Sequence, residues 1–386
     1  MSTLKVLFGK HWKTCFGKRL LTTQIRKITQ GPLYTEVESI ANQQPHIQCR
    51  SRKYLAGSSS SNLPETVPIY THSEFKGIAI TDAHIDKQIQ EIGASIRPSL
   101  DQIFQQNKSC ILIKNLPIKE AKDFNDFVKG LDYVAMSYDT GVAFRSEVES
   151  LLYSASDEPF EYSIELHNEM VYLSKFPAKI MFCCLKQAPR GGESPIVFNR
   201  DLIKLINPEV LDKFRKKGIR YLRSTKHQKN TDYIAWQHTF STESEKVAEE
   251  KMLRDGYQWE WRENGDVTIW YNLPAFFSHP ITGEEIWLNQ AVPSHCSYFK
   301  SHPMYDGKEE LSPSEYHFHT CYGDGAEIED DVIDHIRSII WNNAMSLKLL
   351  PGDVVIMDNL YCQHSRMSFE GGERKIVVSL AEPISR

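Results

Sequence analysis

The sequence predicts a mainly β fold with helical additions, of the jelly-roll or cupin-like kind, and three observations carry that expectation. Short strand-like runs crowd the C-terminal half, helical segments lie ahead of them or between them, and the regular strand–helix alternation of a parallel sheet is missing. With 386 residues, 41% hydrophobic and 11% aromatic, the chain has the material for one large buried core.

The elements follow in order. Ile85, Ile89, Ile92 and Ile96 mark a helix over 83–106, and Cys110-Ile111-Leu112-Ile113 mark a strand that turns at Leu116-Pro117. Residues 179–186 read as a buried strand. Asn199 opens an amphipathic helix over 200–217, a strand covers 219–223, and a charged helix covers 243–254. Strand segments are expected at 257–262, 267–271 and 285–292, then a helix over 327–343. The chain closes with strands at 346–350, 354–357, 361–367 and 374–380, separated by turns that include Pro351-Gly352-Asp353 and Glu370-Gly371-Gly372-Glu373. No internal repeat and no Gly-rich phosphate loop is present.

Residues 1–62 stand apart as an extension and linker, leaving 63–386 as the folded domain. Seven Lys or Arg and no acid precede Glu36, with Leu4, Phe8, Trp12, Phe16 and Leu20 four residues apart. That pattern suits a mitochondrial transit peptide or a basic tail, and Gly57-Ser58-Ser59-Ser60-Ser61-Asn62 suits a flexible linker. A net charge of -5 gives no footprint for nucleic acid or a membrane surface, and no apolar run is long enough to cross a bilayer. Eight cysteines without a CxxC pair suggest reduced, mostly buried thiols rather than a disulfide framework or a zinc site, in an intracellular protein, cytoplasmic unless the basic start directs it to mitochondria.

The chemistry concentrates at His167-Asn168-Glu169. On a strand, positions i and i+2 share a face, so an imidazole and a carboxylate supply two ligands of the facial triad that holds non-haem Fe(II). A core histidine with satisfied hydrogen bonds is the alternative reading. His72-Ser73-Glu74 and His84-Ile85-Asp86 repeat the spacing in a polar loop and at a helix start, where it does not place both groups on one face. His364 is the best candidate for the third ligand. Such a triad needs a cosubstrate to supply electrons, and a dicarboxylic keto acid would chelate iron at one end and need a cation at the other. Arg374 offers a forked guanidinium, unless it pairs with Glu373 at the surface, and Arg366 is its rival. Asn289 and Gln290 either orient substrate or end a strand. His317-Phe318-His319, polar, loop-like and without a nearby carboxylate, is expected at the surface.

In order and spacing, His167-Asn168-Glu169, Arg190-Gly191-Gly192-Glu193-Ser194-Pro195, Trp287-Leu288-Asn289-Gln290, and Gly352-Asp353 through His364 to Arg374 resemble the Fe(II)/2-oxoglutarate-dependent dioxygenases of the taurine dioxygenase (TauD/TfdA) family. The resemblance covers roughly residues 64–384 and is closest to the clavaminate-synthase-like branch. It implies a double-stranded β-helix, His167, Glu169 and His364 as iron ligands, and Arg374 as the clamp on the distal carboxylate of 2-oxoglutarate. Ser194 stands where the family usually has threonine, and Glu169 where aspartate is commoner; Gly191-Gly192 is at the least a tight turn. The implied reaction consumes O2 and 2-oxoglutarate, releases succinate and CO2, and hydroxylates an unactivated C–H bond of a small, amino-acid-like molecule, free or carrier-tethered. Desaturation or cyclisation, and a non-catalytic 2-oxoglutarate- or metal-binding role, are the alternatives. Oligomeric state has no signature here.

Overall fold

The structure, a computed structural model, describes residues 32–37, 72–138, 147–149, 152–156, 158–160, 163–231, 235–300, 305 and 311–386, with two further strands, His46–Gln48 and Thr66–Pro68. The basic segment read as a transit peptide or tail, and the Ser-rich stretch read as a linker, lie outside the described residues. Two sheets face one another. The nine-stranded one runs in the order Tyr34–Glu36, Phe75–Ile80, Cys110–Lys114, Val354–Asp358, Lys175–Lys186, Lys375–Ser385, Leu152–Ser154 and Glu147–Glu149, with Ala135–Met136 also pairing on Lys375–Ser385. The four-stranded one runs Met345–Leu347, Ser194–Phe198, Cys362–Arg366 and Ile164–His167. This is a double-stranded β-helix.

Alternation along the central strand Lys175–Lys186 shows why it reads as a continuous apolar run. Ile180, Phe182 and Cys184 face inward against Ile196, Phe198, Leu347 and Cys362 of the small sheet. Met181 and Cys183 face the other way, against Ile92, Ile96 and Leu100 of the helix Ile89–Gln105 and Phe124 and Phe127 of the helix Ala121–Leu131. A strand buried on both faces has no polar positions to alternate. Beneath the small sheet, Leu166 and Val197 pack on Leu202, Phe214, Ile336 and Trp341 from three helices.

The differences from the sequence reading are local. The helix expected over 200–217 is two, Asn199–Leu205 and Pro208–Lys217, because Pro208 starts a new helix at its first turn and Asn207 caps it, accepting from the Glu209 N–H at 2.8 Å. The segment 83–106 likewise divides into Asp82–Ile85 and Ile89–Gln105. Only Glu285–Trp287 of the run 285–292 is strand. The helix Ala121–Leu131, unforeseen, is opened by a capping box between Glu120 and Asp123. Ahead of residue 63, Tyr34–Glu36 pairs with Phe75–Ile80 as an edge of the large sheet, and His46–Gln48 pairs with Thr66–Pro68. Between the small sheet's strands the chain inserts a third sheet, ordered Gln258–Trp261, Val267–Leu273, Ile219–Thr225 and Phe318–Tyr322. The six cysteines among the described residues are free and buried. No helix among the described residues is long and apolar enough to cross a membrane.

Candidate active site

His364 and His167 are cross-strand partners in the small sheet, which places their rings 4.4 Å apart between centroids. The strand Ile164–His167 ends at His167, so Glu169 lies just beyond it and the expected shared strand face is corrected. Amide side chains replace the ladder there. Asn359 accepts from the Glu169 N–H at 2.7 Å and donates to its carbonyl at 2.9 Å, while Asn168 donates to the Asn359 and Cys362 carbonyls at 2.7 and 3.0 Å. Gln290 donates to the Asn168 carbonyl at 2.6 Å, and Asn199 to its side-chain oxygen at 3.2 Å. The turn swings Glu169 back toward the histidines. Its Oε2 is 3.9 Å from His167 Nε2 and 3.5 Å from His364 Nε2.

One donor atom from each of the three residues lies within 4.8 Å of the others. His167 Nδ1 sits 2.8 Å from the Glu165 carbonyl, which fixes the proton there and leaves the Nε2 lone pair facing Glu169. Among the described residues buried His364 Nδ1 has no hydrogen-bond partner; an ion at Nε2 would hold the ring proton on Nδ1. Glu169 is only 3% exposed, and a carboxylate so desolvated between two imidazoles favours a cation in their midst. Two nitrogens and one carboxylate oxygen suit Fe(II) and leave coordination positions open.

The adjoining cavity, of about 250 Å³, is lined by all three of these residues and by Phe182, Ser194 and Arg374. Arg374 Nε donates to the Gly192 carbonyl at 3.0 Å and its Nη2 to Ser194 Oγ at 3.4 Å. Gly192 has φ +71°, and a Cβ there would lie 2.9 Å from Arg374 Cδ, so the Gly-Gly turn is also a seat for the arginine. The surface alternative fails, since Glu373 pairs with Lys186 at 3.1 Å. Burial, and then Arg366, lower the Arg374 pKa to about 10, so it stays cationic at neutral pH. Arg366 also lines the cavity but donates to the Glu158 and Pro159 carbonyls at 2.9 and 2.6 Å.

Other candidates fall elsewhere. His72 is 2.8 Å from Asp201, and His84 is 3.0 Å from Thr81 Oγ1, each away from the cavity. Asn289 donates to the Ala275 carbonyl at 2.9 Å and shapes a turn, whereas Gln290 lines the cavity. The surface reading of His317 and His319 is wrong. Phe318–Tyr322 is a strand, His317 lines the cavity with its pKa driven to about 3 by burial, and His319 is 1% exposed and 2.8 Å from Glu327. The sequence reading missed Glu165, buried in the cavity wall and paired with Arg337 at 2.7 Å. Its spacing from His167 was the available signal. It also missed the aromatic wall of Tyr172, Tyr257, Tyr271, Tyr298 and Phe299, whose members come from separate loops and strands.

A cavity that brings three convergent donor atoms together with a guanidinium–hydroxyl pair suits, on this fold, a metal-dependent oxygenase with a keto-acid cosubstrate. The family model "Taurine catabolism dioxygenase TauD, TfdA family" matches residues 78–380, and the chain belongs to that family. It is an Fe(II)- and 2-oxoglutarate-dependent dioxygenase, with Fe(II), 2-oxoglutarate and O2 as its cofactors. The chain is 29% identical over 327 residues to the dapdiamide synthesis protein DdaC of Enterobacter agglomerans, covering 85% of this chain and 96% of that one. It is 24% identical to a clavaminate synthase-like protein of Arabidopsis thaliana, covering 90% of this chain and 98% of that one. Among solved structures, PvcB of Pseudomonas aeruginosa has a TM-score of 0.45 at 13% identity, over 83% of this chain and 92% of its own.

Proposed function

We propose that His167, Glu169 and His364 hold the iron, that Arg374 and Ser194 hold the distal carboxylate of 2-oxoglutarate, and that the enzyme hydroxylates an unactivated C–H bond of a small, amino-acid-like molecule. The observation that carries this reading is the convergence of the three donor atoms in one cavity with the Arg374–Ser194 pair. When bound, the iron and cosubstrate supply the oxidising chemistry, with succinate and CO2 as by-products. The chain's own residues do the placing. The Glu165 carbonyl orients His167, the asparagine network sets the Glu169 turn, and Gly192 fixes one edge of the Arg374 fork. Phe182, 4.9 Å from the His364 ring, and Met357 and Ile376 keep water from the metal side.

The substrate class rests on the cavity lining. Arg223 and Glu158 put both signs of charge among the aromatic side chains of the lining, which suits a zwitterion with an apolar body. The size of the cavity and a relative named for dapdiamide synthesis agree with a small molecule. The test is anaerobic loading with Fe(II) followed by O2 and 2-oxoglutarate, first without substrate and then with cell extract, reading succinate release and new products by mass spectrometry. Products that gain one oxygen support hydroxylation, and products that lose two hydrogens establish desaturation or cyclisation instead. Absence of succinate in every condition would leave only a binding role.

A further inference from the structure

Behind the aromatic wall lies a second cluster of donor atoms, independent of the first. His295 and Cys296 stand at the entry to the helix Cys296–Lys300, and His319 and Cys321 stand on the strand Phe318–Tyr322; their exposures are 2%, 3%, 1% and 4%. Ligand atoms of His295, Cys296 and His319 lie within 4.8 Å of one another, and so do those of His319, Cys321 and Glu327. His319 and Cys321 are two apart on a strand and share a face, opposite to Phe318, which lines the cavity. Tyr298 and Phe299, on the short helix that begins at Cys296, line it as well.

The wiring of His319 points at a ligand. Its Nε2 is 2.8 Å from the Glu327 carboxylate, so the proton is on Nε2, and its Nδ1 accepts the Cys296 N–H in a long bond of 3.3 Å that an ion at Nδ1 would replace. The His295 ring is 4.9 Å away. An imidazole held by a carboxylate on one nitrogen, with a thiol and a second imidazole offering ligand atoms within 4.8 Å, has the outer support found at zinc sites.

We propose that His295, Cys296, His319 and Cys321 form a structural zinc site, with Glu327 orienting His319 from outside the ligand set. Two thiols and two imidazoles are a preferred tetrahedral set for structural zinc. Binding releases the two thiol protons to solvent, and the two thiolates then cancel the charge of the ion, so the buried site is neutral. The ion joins the short helix to the strand and fixes the wall that carries Tyr298, Phe299 and Phe318. Nothing in this site overlaps the residues proposed to hold iron.

The test is metal analysis of the full-length protein purified under reducing conditions without strong chelator, with Co(II) titration as a second readout. About one zinc per chain is expected, lost from Cys296→Ser and Cys321→Ser and kept by His364→Ala, while Glu327→Gln weakens zinc binding about 10- to 100-fold. Co(II) should give a thiolate-to-metal charge-transfer band, which nitrogen and oxygen ligands at the iron site cannot produce. A folded, reduced wild-type protein that holds no zinc as purified and shows no such band with excess Co(II) overturns the proposal. Because that titration uses the unmodified chain, it decides even if a serine variant fails to fold.

Discussion

Replacing Arg374 by alanine removes the cation from the 2-oxoglutarate end of the cavity and leaves the three proposed iron ligands untouched. The geometry sets the size of the effect. Of the five guanidinium N–H groups, one is taken by the Gly192 carbonyl and one by Ser194 Oγ, leaving three for a carboxylate. Counting only one charge-assisted bond, about 1.5–3 kcal/mol is lost, or roughly ten- to 150-fold in Kd. A bidentate grip would exceed that range. Lysine at 374 should restore binding only in part, because an ammonium cannot bond the Gly192 carbonyl and present a planar fork at once. The assay is anaerobic titration of 2-oxoglutarate into the Fe(II) protein, following the metal-to-ligand charge-transfer band, with Fe(II) affinity measured separately. Normal 2-oxoglutarate binding by Arg374→Ala together with its loss in Arg366→Ala would refute the assignment.

His167→Ala and His364→Ala should each abolish Fe(II) binding and 2-oxoglutarate consumption, and full turnover by either variant would remove the triad. Because Glu169 fills a coordination position, the unmodified enzyme should give no halogenated product even in high chloride; a chlorinated product from a mass-spectrometric screen contradicts its role. Arg337→Leu leaves the Glu165 carboxylate buried and unpaired, so chemical denaturation should show a loss of about 3–5 kcal/mol, and unchanged stability would mean that the pair is dispensable. Deleting residues 1–31 should leave a folded, iron-binding protein, whereas deleting residues 1–60 also removes the edge strand Tyr34–Glu36 and should lower the denaturation midpoint; equal midpoints would show that the edge adds nothing.

The barrel was legible because its strands announce themselves one at a time. Within Cys110–Lys114, Lys175–Lys186 and Val354–Asp358 the stretches 110–113, 180–185 and 354–357 are unbroken apolar runs since both of their faces are covered, and Gly352 and the pair Gly371-Gly372 mark the turns around them. The three side chains proposed to hold iron could be picked out for a similar reason, being close in sequence or flanked by such strands. What escaped depends on partners far along the chain. The end of the strand at His167 is enforced by Asn359, about half the chain away, and His319 reads as polar loop until the Cys296–Lys300 helix covers it. Arg374 was separable from a surface ion pair only once Lys186 was seen to occupy Glu373.

The amide network around Asn168 has a consequence for how the protein lives with its cofactor. Asn168, Asn199, Gln290 and Asn359 lock the backbone on which the coordinating groups hang, and none of those bonds involves an ion. The conformation needed for coordination is therefore built in during folding rather than upon loading, so little of the binding energy is consumed in ordering the chain. An enzyme made this way can be stripped and refilled without passing through an unfolded state. Iron supply is then expected to act on it as a reversible throttle, the shape of the protein persisting as the ion comes and goes.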